Sequence, residues 1–154
     1  MPSTSPCAPD VETMEIRRAT ASDANSILDL WEVAGAAISK TDNPAHVARA
    51  IHHPSAVFLL AVAEGQIVGS LLGGFDGWRG NMYRLAVHPK YRRKGIARSL
   101  VHRVEQEFVQ WGVTRVTALV ERDRRSAVQF WEAVGYLQDE HFVRHVGTLE
   151  SKRS

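Results

Sequence analysis

The sequence predicts a mixed α/β domain in which helices cover both faces of a central, mostly antiparallel sheet that contains one parallel strand pair. Two observations support this fold class. Apolar runs of strand length at residues 56–63 and 67–75 flank a Glu64-Gly65-Gln66 turn, which is typical of a hairpin. Further along, a strand at residues 81–87, a helical pattern and a strand at residues 113–120 alternate, which predicts a right-handed parallel unit.

Local signals place the other elements. In the amino-terminal part, residues 15–19 predict a first strand, residues 20–23 are a capping-box pattern that begins a helix, and Pro44 begins a second, short helix. In the carboxy-terminal part, Asp123 is placed to cap a further helix and residues 142–149 predict a last strand. The predicted order is therefore β-α-α-β-β-β-α-β-α-β.

Length and composition indicate one globular domain without a membrane span. The chain has 154 residues, of which 44% are hydrophobic and 23% charged, and its formal net charge is +2. So mild a charge does not favour a nucleic-acid-binding protein. No apolar run approaches the roughly 20 residues of a membrane span. We expect residues 1–13 to be a disordered leader, residues 14–149 a single domain and residues 150–154 a loose tail.

Cysteine and histidine content bears on compartment and metals. Cys7 is the only cysteine, so no intramolecular disulfide can form, which fits a reducing compartment such as the cytoplasm. His52 and His53 are adjacent, so on a helix their side chains would point apart, and no third ligand is clustered nearby. We therefore predict a cytoplasmic protein without a metal site.

A dense run of basic residues lies where the strand at residues 81–87 passes into the next helix. Arg92, Arg93, Lys94 and Arg98 surround Gly95 at the start of the helical pattern. A helix N-terminus presents unpaired backbone N–H groups, and glycine lets a ligand approach them closely. The combination suits a di- or polyphosphate, although a solvated basic turn has the same composition. P-loop and Rossmann glycine patterns are missing from the sequence, which argues against the usual nucleotide sites.

The stretch LAVHPKYRRKGIARSLV resembles the acyl-CoA signature of the GNAT superfamily of N-acyltransferases. In that signature Arg or Gln is followed after two residues by Gly and after one more by Gly or Ala, which here are Arg92, Gly95 and Ala97. The stretch FWEAVGY, residues 130–136, matches the family's second signature. The resemblance implies a GNAT-like fold, in which the two parallel strands splay apart.

The resemblance covers most of the chain. The order of predicted elements matches the family from about Met14 to about Gly147. The stretch GGFDGWRGNMYRLAVHP also resembles a bacterial subgroup of small GNAT proteins near the ribosomal-protein alanine acetyltransferases. Family membership therefore predicts an acyl-CoA cosubstrate, but the subgroup does not assign an acceptor.

The resemblance implies where acetyl-CoA would bind. In the family, backbone amides of the signature loop hold the pyrophosphate, and the exposed backbone of the preceding strand pairs with the pantetheine like an added strand. An amide at a bulge in that strand can polarise the thioester carbonyl. The matching positions here are Leu85, Ala86 and Val87 on the strand, Arg92, Arg93, Lys94, Gly95, Ile96, Ala97, Arg98 and Ser99 in the loop and helix, and Arg124 and Trp131 at the last helix.

Three positions depart from the family pattern. A tyrosine on the last helix often serves the leaving thiolate, and the matching residue here is Trp131, whose indole N–H is not a practical proton donor. The asparagine frequent at the start of that helix is Arg124, and the glutamate of the related ribosomal enzymes aligns with Leu119. The resemblance therefore supports the cosubstrate more directly than it supports an acid and a base.

Four residues are candidates for the remaining roles, and three of them have a structural alternative. Tyr83 is expected to share a side-chain face with Leu85 and to reach the thioester, unless it is a packing residue. Asp76 is a second catalytic candidate, unless it serves its own turn. Asp42 and Trp78 are candidates for the acceptor site, although Asp42 is also placed to cap the following helix.

The predicted activity is N-acetyl transfer from acetyl-CoA to a primary amine of a small molecule or a peptide N-terminus, by direct attack on the thioester. A non-catalytic acyl-CoA-binding regulatory module is the alternative, because the family's usual acid and base are replaced. No stacking platform or recognition-helix pattern favours a nucleic-acid partner. Family members are often dimers, so the resemblance allows a homodimer.

Overall fold

The computed structural model describes residues 14–149. The protein consists of two compact units, the first ending at Val120 and the second beginning at Glu121. The expected leader, residues 1–13, and the expected tail, residues 150–154, lie outside the described residues. The single-domain assignment therefore stays a prediction.

The first unit is built on a five-stranded sheet. Its strands follow sequence order across the sheet and are β1 (Glu15–Arg18), β2 (Ala56–Ala63), β3 (Gln66–Phe75), β4 (Gly80–Val87) and β5 (Val116–Ala118). Neighbouring strands are antiparallel except β4 and β5, which are parallel. The predicted mixed, mostly antiparallel sheet is confirmed.

Helices cover both faces of this sheet. One face carries α1 (Ala24–Val33) and α2 (Pro44–His52), and the other carries α3 (Ile96–Gln110). The core under α1 and α2 joins apolar side chains from both helices to those of β2, β3 and β4. At its centre Trp31 stacks on Phe58, with ring centroids 6.4 Å apart. The two cores lie on opposite faces because successive side chains of a strand point to opposite sides of the sheet.

Helix α3 lies close to the sheet because glycines replace side chains beneath it. A Cβ on Gly73 would lie 2.7 Å from Val104 Cγ1 and 3.0 Å from Phe108 Cζ. A Cβ on Gly80 would lie 2.7 Å from Phe108 Cε2. These glycines set the height of α3 above the strands, and so they also set where its N-terminus lies.

The capping box predicted at residues 20–23 is confirmed. The Thr20 N–H donates to Asp23 Oδ2 (2.7 Å), and the Arg17 guanidinium donates to both oxygens of the same carboxylate, at 2.8 and 3.0 Å. The bonds from Arg17, together with those from Thr20, lower the pKa of Asp23 to about 2. This carboxylate therefore links the end of β1 to the start of α1.

The second unit contains α4 (Arg125–Ala133), which ends just before Gly135 with its φ of +97°. The strand predicted at residues 142–149 is wrong, since those residues form neither strand nor helix. Their apolar side chains, such as Phe142 (78% exposed), are not packed. An extended segment is counted as a strand only when a neighbour accepts its backbone hydrogen bonds, and the described chain supplies none here.

No helix within residues 14–149 is long and apolar enough to cross a membrane. In the same part of the chain, no group of three or more His, Cys, Asp or Glu side chains could hold a metal ion.

Replacing Gly73 by alanine should overpack the contact between β3 and α3. Because the new methyl would meet Val104 and Phe108 inside contact distance, we expect a loss of about 1–3 kcal/mol in the free energy of unfolding. Urea unfolding measures it. Gly147→Ala is the control, since a Cβ there meets nothing within 4 Å. Equal stability of the two variants would contradict close packing of α3.

The Asp23 carboxylate should make stability pH-dependent in acid. Its folded pKa, about 2, lies below the ordinary aspartate pKa of 3.8, so its contribution is complete above about pH 4 and is lost as the pH falls through 2. The Arg17 side chain is 34% exposed, so solvent screening reduces the contribution to the order of 1 kcal/mol. Urea unfolding from pH 6 to pH 2 should show a flatter profile for Asp23→Asn; parallel profiles would contradict this assignment.

Candidate functional site

The parallel strands β4 and β5 separate partway along their length. Pairing ends with Met82 opposite Ala118, followed by one bond from the Leu119 N–H to the Met82 carbonyl oxygen (3.0 Å). Strand β5 is therefore shorter than the predicted residues 113–120. Beyond Met82, β4 is paired only with β3 within the described residues, which leaves one backbone edge of residues 83–87 free of a strand partner. The splayed pair implied by the resemblance is confirmed.

A bulge in β4 lies where β5 leaves. The register between β3 and β4 shifts between Ser70 and Leu72, so that Arg84 and Leu85 together oppose one residue of β3. Arg84 has a φ of +60°, a left-handed conformation that is rare for arginine inside a strand. A bulge bends a strand and increases its twist, which explains why β4 turns away from β5.

The bulge overturns one prediction about Tyr83. Alternation along a regular strand would place Tyr83 and Leu85 on the same face, but Tyr83 pairs with Leu72 and Ala86 pairs with Ser70. Because Ser70 and Leu72 share a face, Tyr83 shares its face with Ala86 and not with Leu85. Tyr83 packs half-buried against the core under α1, as its structural alternative predicted. Its catalytic role stays a prediction.

The N-terminus of α3 is open and has no side-chain cap. Arg93 and Gly95, just before the helix, have φ values of +62° and +81°. Gly95 is the N-cap residue and α3 has no side-chain cap, so the first-turn N–H groups of residues 96–98 have no intrahelical acceptor. A Cβ on Gly95 would meet no heavy atom within 4 Å. The backbone here is therefore accessible to a ligand, as the sequence predicted.

The basic side chains of this loop divide into two groups. Arg92 Nη2 donates to the Ala34 carbonyl oxygen (3.0 Å) and its Nε to that of Val87 (3.2 Å), so this guanidinium braces the loop against α1 and β4. Arg93 and Arg98 are exposed beside the helix start. No sequence signal distinguishes the bracing arginine from the exposed cations. A role of the Arg92 amide toward a pyrophosphate stays a prediction.

Tyr91 anchors the loop to the hairpin between β2 and β3. Its hydroxyl donates to Glu64 Oε2 (3.0 Å), and its buried ring meets His88 edge-on, with centroids 5.8 Å apart. The hydrogen bond to the Glu64 carboxylate raises the pKa of Tyr91. Lys94 Nζ lies 5.6 Å from the centre of the same ring. Tyr91 therefore ties the loop to the β2–β3 hairpin, and Arg92 ties it to α1 and β4, before α3 begins.

Asp42, predicted for the acceptor site, lies in the α1–α2 loop, residues 34–43. Its Oδ2 accepts from Arg84 Nη2 (2.6 Å) and from the Ser39 N–H (2.9 Å). The cap of α2 is Asn43 rather than Asp42, since Asn43 Oδ1 accepts from the His46 N–H (3.0 Å). The carboxylate of Asp42 is thus paired with an arginine, and its role toward an amine stays a prediction.

Asp76 and Trp78 lie in the hairpin turn between β3 and β4. Asp76 Oδ1 accepts from the N–H groups of Arg79 (2.8 Å) and Trp78 (2.9 Å), and these bonds lower the pKa of Asp76. Arg79 stacks over the exposed Trp78 ring at 4.1 Å. The turn is at the opposite end of β4 from the basic loop, roughly 20 Å away along the strand. These contacts are those of a residue that stabilises its own turn, which is the structural alternative for Asp76.

Arg124 and Trp131 belong to the second unit. Arg124 precedes α4 as its N-cap residue, and its Nε lies 3.1 Å from Glu121 Oε2. Trp131 is buried and meets Phe130 and Tyr136 edge-on, with centroids 5.5 and 5.1 Å apart. Tyr136, which follows the helix, thus packs on the Trp131 ring. A role of Arg124 and Trp131 toward a cosubstrate stays a prediction.

Sequence analysis missed a polar network that supports the bulge. The Trp31 indole Nε1–H donates to Ser70 Oγ (2.9 Å), and the Ser70 hydroxyl donates to the Arg84 carbonyl oxygen (3.1 Å). Ser70 is fully buried. A lone serine in the apolar run of β3 was the available signal, because buried polar groups are nearly always hydrogen-bonded.

Comparisons with known proteins agree with this geometry. The Acetyltransferase (GNAT) family matches residues 20–136. A protein named acetyltransferase from Sodalis glossinidius is 35% identical over 127 residues, covering 82% of this chain and 89% of that protein. The chain therefore belongs to the GNAT family of acetyltransferases.

Two solved structures share the fold. The PaiA N-acetyltransferase of Thermoplasma acidophilum, in complex with coenzyme A, superposes with a TM-score of 0.70 at 17% identity and covers 79% of this chain and 88% of its own. The aminoglycoside 6'-N-acetyltransferase of Acinetobacter baumannii gives a TM-score of 0.72 at 21% identity, covering 89% of this chain and 99% of its own. At these identities the likeness shows the fold alone.

Alanine substitutions should show that Arg92 contributes more to stability than the exposed cation Arg98. Arg92→Ala removes two bonds from a charged donor, so we expect a loss of about 1–2 kcal/mol in the free energy of unfolding. Arg98→Ala should stay within about 0.5 kcal/mol of the parent, because Arg98 is exposed and a cation in the first helical turn is not favoured. Urea unfolding compares the two. A larger loss for Arg98→Ala would reverse the assignment.

Proposed function

We propose that the protein is an N-acetyltransferase that moves the acetyl group of acetyl-CoA to a primary amine. One observation carries the proposal: the free edge of β4 at residues 83–87 is followed, after the basic loop at residues 88–95, by the open N-terminus of α3. Backbone N–H and C=O groups of a free edge can pair with an extended, amide-containing chain. The uncapped helix start suits a pyrophosphate. A molecule that joins these two parts is coenzyme A.

The residues at this edge fit such a ligand. The strand contributes the backbone of Leu85, Ala86 and Val87, and the first turn of α3 contributes amides beside Gly95, where a Cβ would meet open space. Exposed Arg93 and Arg98 add positive charge near the helix start. The packing of α3 over its glycines and the anchoring of Tyr91 fix this arrangement before any ligand binds, which reduces the ordering cost of binding.

Acetyl-CoA would supply a thioester whose carbonyl carbon is the electrophile. A neutral amine attacks that carbon, the C–N bond forms, the C–S bond breaks and the thiolate takes up a proton. A backbone N–H at the bulge would donate to the carbonyl oxygen as charge develops there. The ammonium proton must first pass to a base, directly or through water. Among the predicted candidates, Tyr83 lies beside the bulge, whereas Asp76 lies at the far turn.

The acceptor is proposed to be a small-molecule amine or a peptide N-terminus, bound on the side of the α1–α2 loop. A small amine is supported by the Acinetobacter baumannii enzyme of the same fold, which is named for acetylating an aminoglycoside. The alternative, a non-catalytic acyl-CoA-binding module, is favoured by the contacts of Asp42 and Asp76, whose carboxylates are bonded to Arg84 and to turn amides. An acceptor panel therefore includes aminoglycosides, polyamines, amino acids and short peptides.

Thermal unfolding with added acetyl-CoA tests the binding site. A ligand at a hundred times its dissociation constant adds about 2.7 kcal/mol, which raises the melting temperature of a chain of this size by several degrees. Gly95→Glu should abolish that rise, since its carboxylate would occupy the open space before the helix. Gly112→Glu is the matched control, because Gly112 has the same φ of +81° and equally open surroundings.

The outcomes separate the alternatives. A rise that survives in Gly112→Glu and is lost in Gly95→Glu places the cosubstrate at α3, and thiol release with the amine panel then shows transfer. Binding without thiol release from any amine would favour the regulatory module. No rise at millimolar acetyl-CoA would contradict the proposal.

A further inference from the structure

Arg84 joins two parts of the molecule that are far apart in sequence. Its Nη1 donates to the Ala37 carbonyl oxygen (2.8 Å) and its Nη2 to Asp42 Oδ2 (2.6 Å), both in the α1–α2 loop. Its guanidinium carbon lies 4.9 Å from the centre of the Trp31 ring. Exposures of 20% for the Arg84 side chain and 14% for that of Asp42 show that the pair is largely shielded from solvent.

The backbone of the same residue forms the bulge. The left-handed conformation of Arg84 is strained for a residue with a Cβ, so the surrounding structure must hold it. The bond from Ser70 to the Arg84 carbonyl oxygen holds the main chain, and the contacts with Ala37 and Asp42 hold the side chain. The conformation of the bulge therefore depends in part on the position of the loop.

We propose that Arg84 is a positioning residue that couples the α1–α2 loop to the bulge of β4, so that ordering either one orders the other. This inference rests on the proposed function, in which the loop borders the acceptor and the bulge donates to the thioester. Asp42 then acts through Arg84 rather than by binding the amine. Because coupling between two sites is reciprocal, acyl-CoA at the bulge would also order the acceptor side.

Hydrogen exchange measured by mass spectrometry tests the coupling without any ligand. Asp42→Asn removes the charge pair while keeping the side-chain volume, and its effect is measured at residues 83–87. Arg84→Gly keeps the left-handed backbone accessible and removes the guanidinium, and its effect is measured at residues 36–43. Each variant is thus scored at a segment whose sequence it leaves unchanged, and we expect exchange there to rise about fivefold or more.

Arg18→Ala is the matched control, because it removes a different ion pair, from β1 to Glu107 on α3. It should leave exchange at both segments unchanged. Effects of Asp42→Asn and Arg84→Gly confined to their own segments would overturn the proposal. So would an equal rise in Arg18→Ala, which would indicate a general loss of stability instead of coupling.

A second arm uses acetyl-CoA as the probe. In the parent protein, saturating acetyl-CoA should slow exchange at residues 36–43, and in Asp42→Asn that slowing should vanish although the melting temperature still rises. Slowing that persists in Asp42→Asn would overturn the coupling. If acetyl-CoA does not raise the melting temperature of the parent, the proposed function fails, and the ligand-free arm decides the coupling by itself.

Discussion

The left-handed conformation of Arg84 is the constraint on which the arrangement of the site depends. It belongs to a bulge in β4, formed by Arg84 and Leu85, that begins just after Tyr83, whereas Met82 is the last residue paired with β5. A regular strand at this place would continue the ladder and leave no free edge. The bulge bends β4 out of register instead, so within the described residues the backbone groups that would bond to β5 have no strand partner. A sheet defect thus supplies the strand edge that a peptide-like ligand needs.

The other features of the first unit place a charged helix end at this edge. Glycines under α3 let it approach the sheet, and Phe108 and Val104 fill the space where side chains would be. Tyr91 ties the connecting loop to the β2–β3 hairpin, and Arg92 ties it to α1. The N–H groups of the first turn of α3 are consequently directed by the packed core and not by a mobile loop. Such preorganisation is typical of anion sites at helix N-termini.

Most of the fold, and the open helix start at which the anion site is proposed, could be predicted from the sequence, because they depend on local patterns. Strand alternation, the capping box at residues 20–23 and the glycine before α3 all act within a few residues. Contacts between distant residues could not be predicted. The predicted side-chain face of Tyr83 was wrong because one bulge reverses the alternation of side chains along β4. The ion pair between Asp42 and Arg84 joins the α1–α2 loop to β4, which no local pattern indicates. The prediction of a strand at residues 142–149 was wrong because apolar residues alone do not supply a neighbouring strand to pair with.

The claim that the β4 edge and the start of α3 form one acyl-CoA site is tested most directly by amide chemical shifts. Nitrogen-15-labelled protein would be titrated with coenzyme A, and the backbone N–H resonances followed by residue. We expect the largest shifts in residues 83–87 and 95–99 together, at one shared dissociation constant. Shifts confined to the hairpin turn at residues 76–79, or to the basic stretch at residues 122–125, would contradict it.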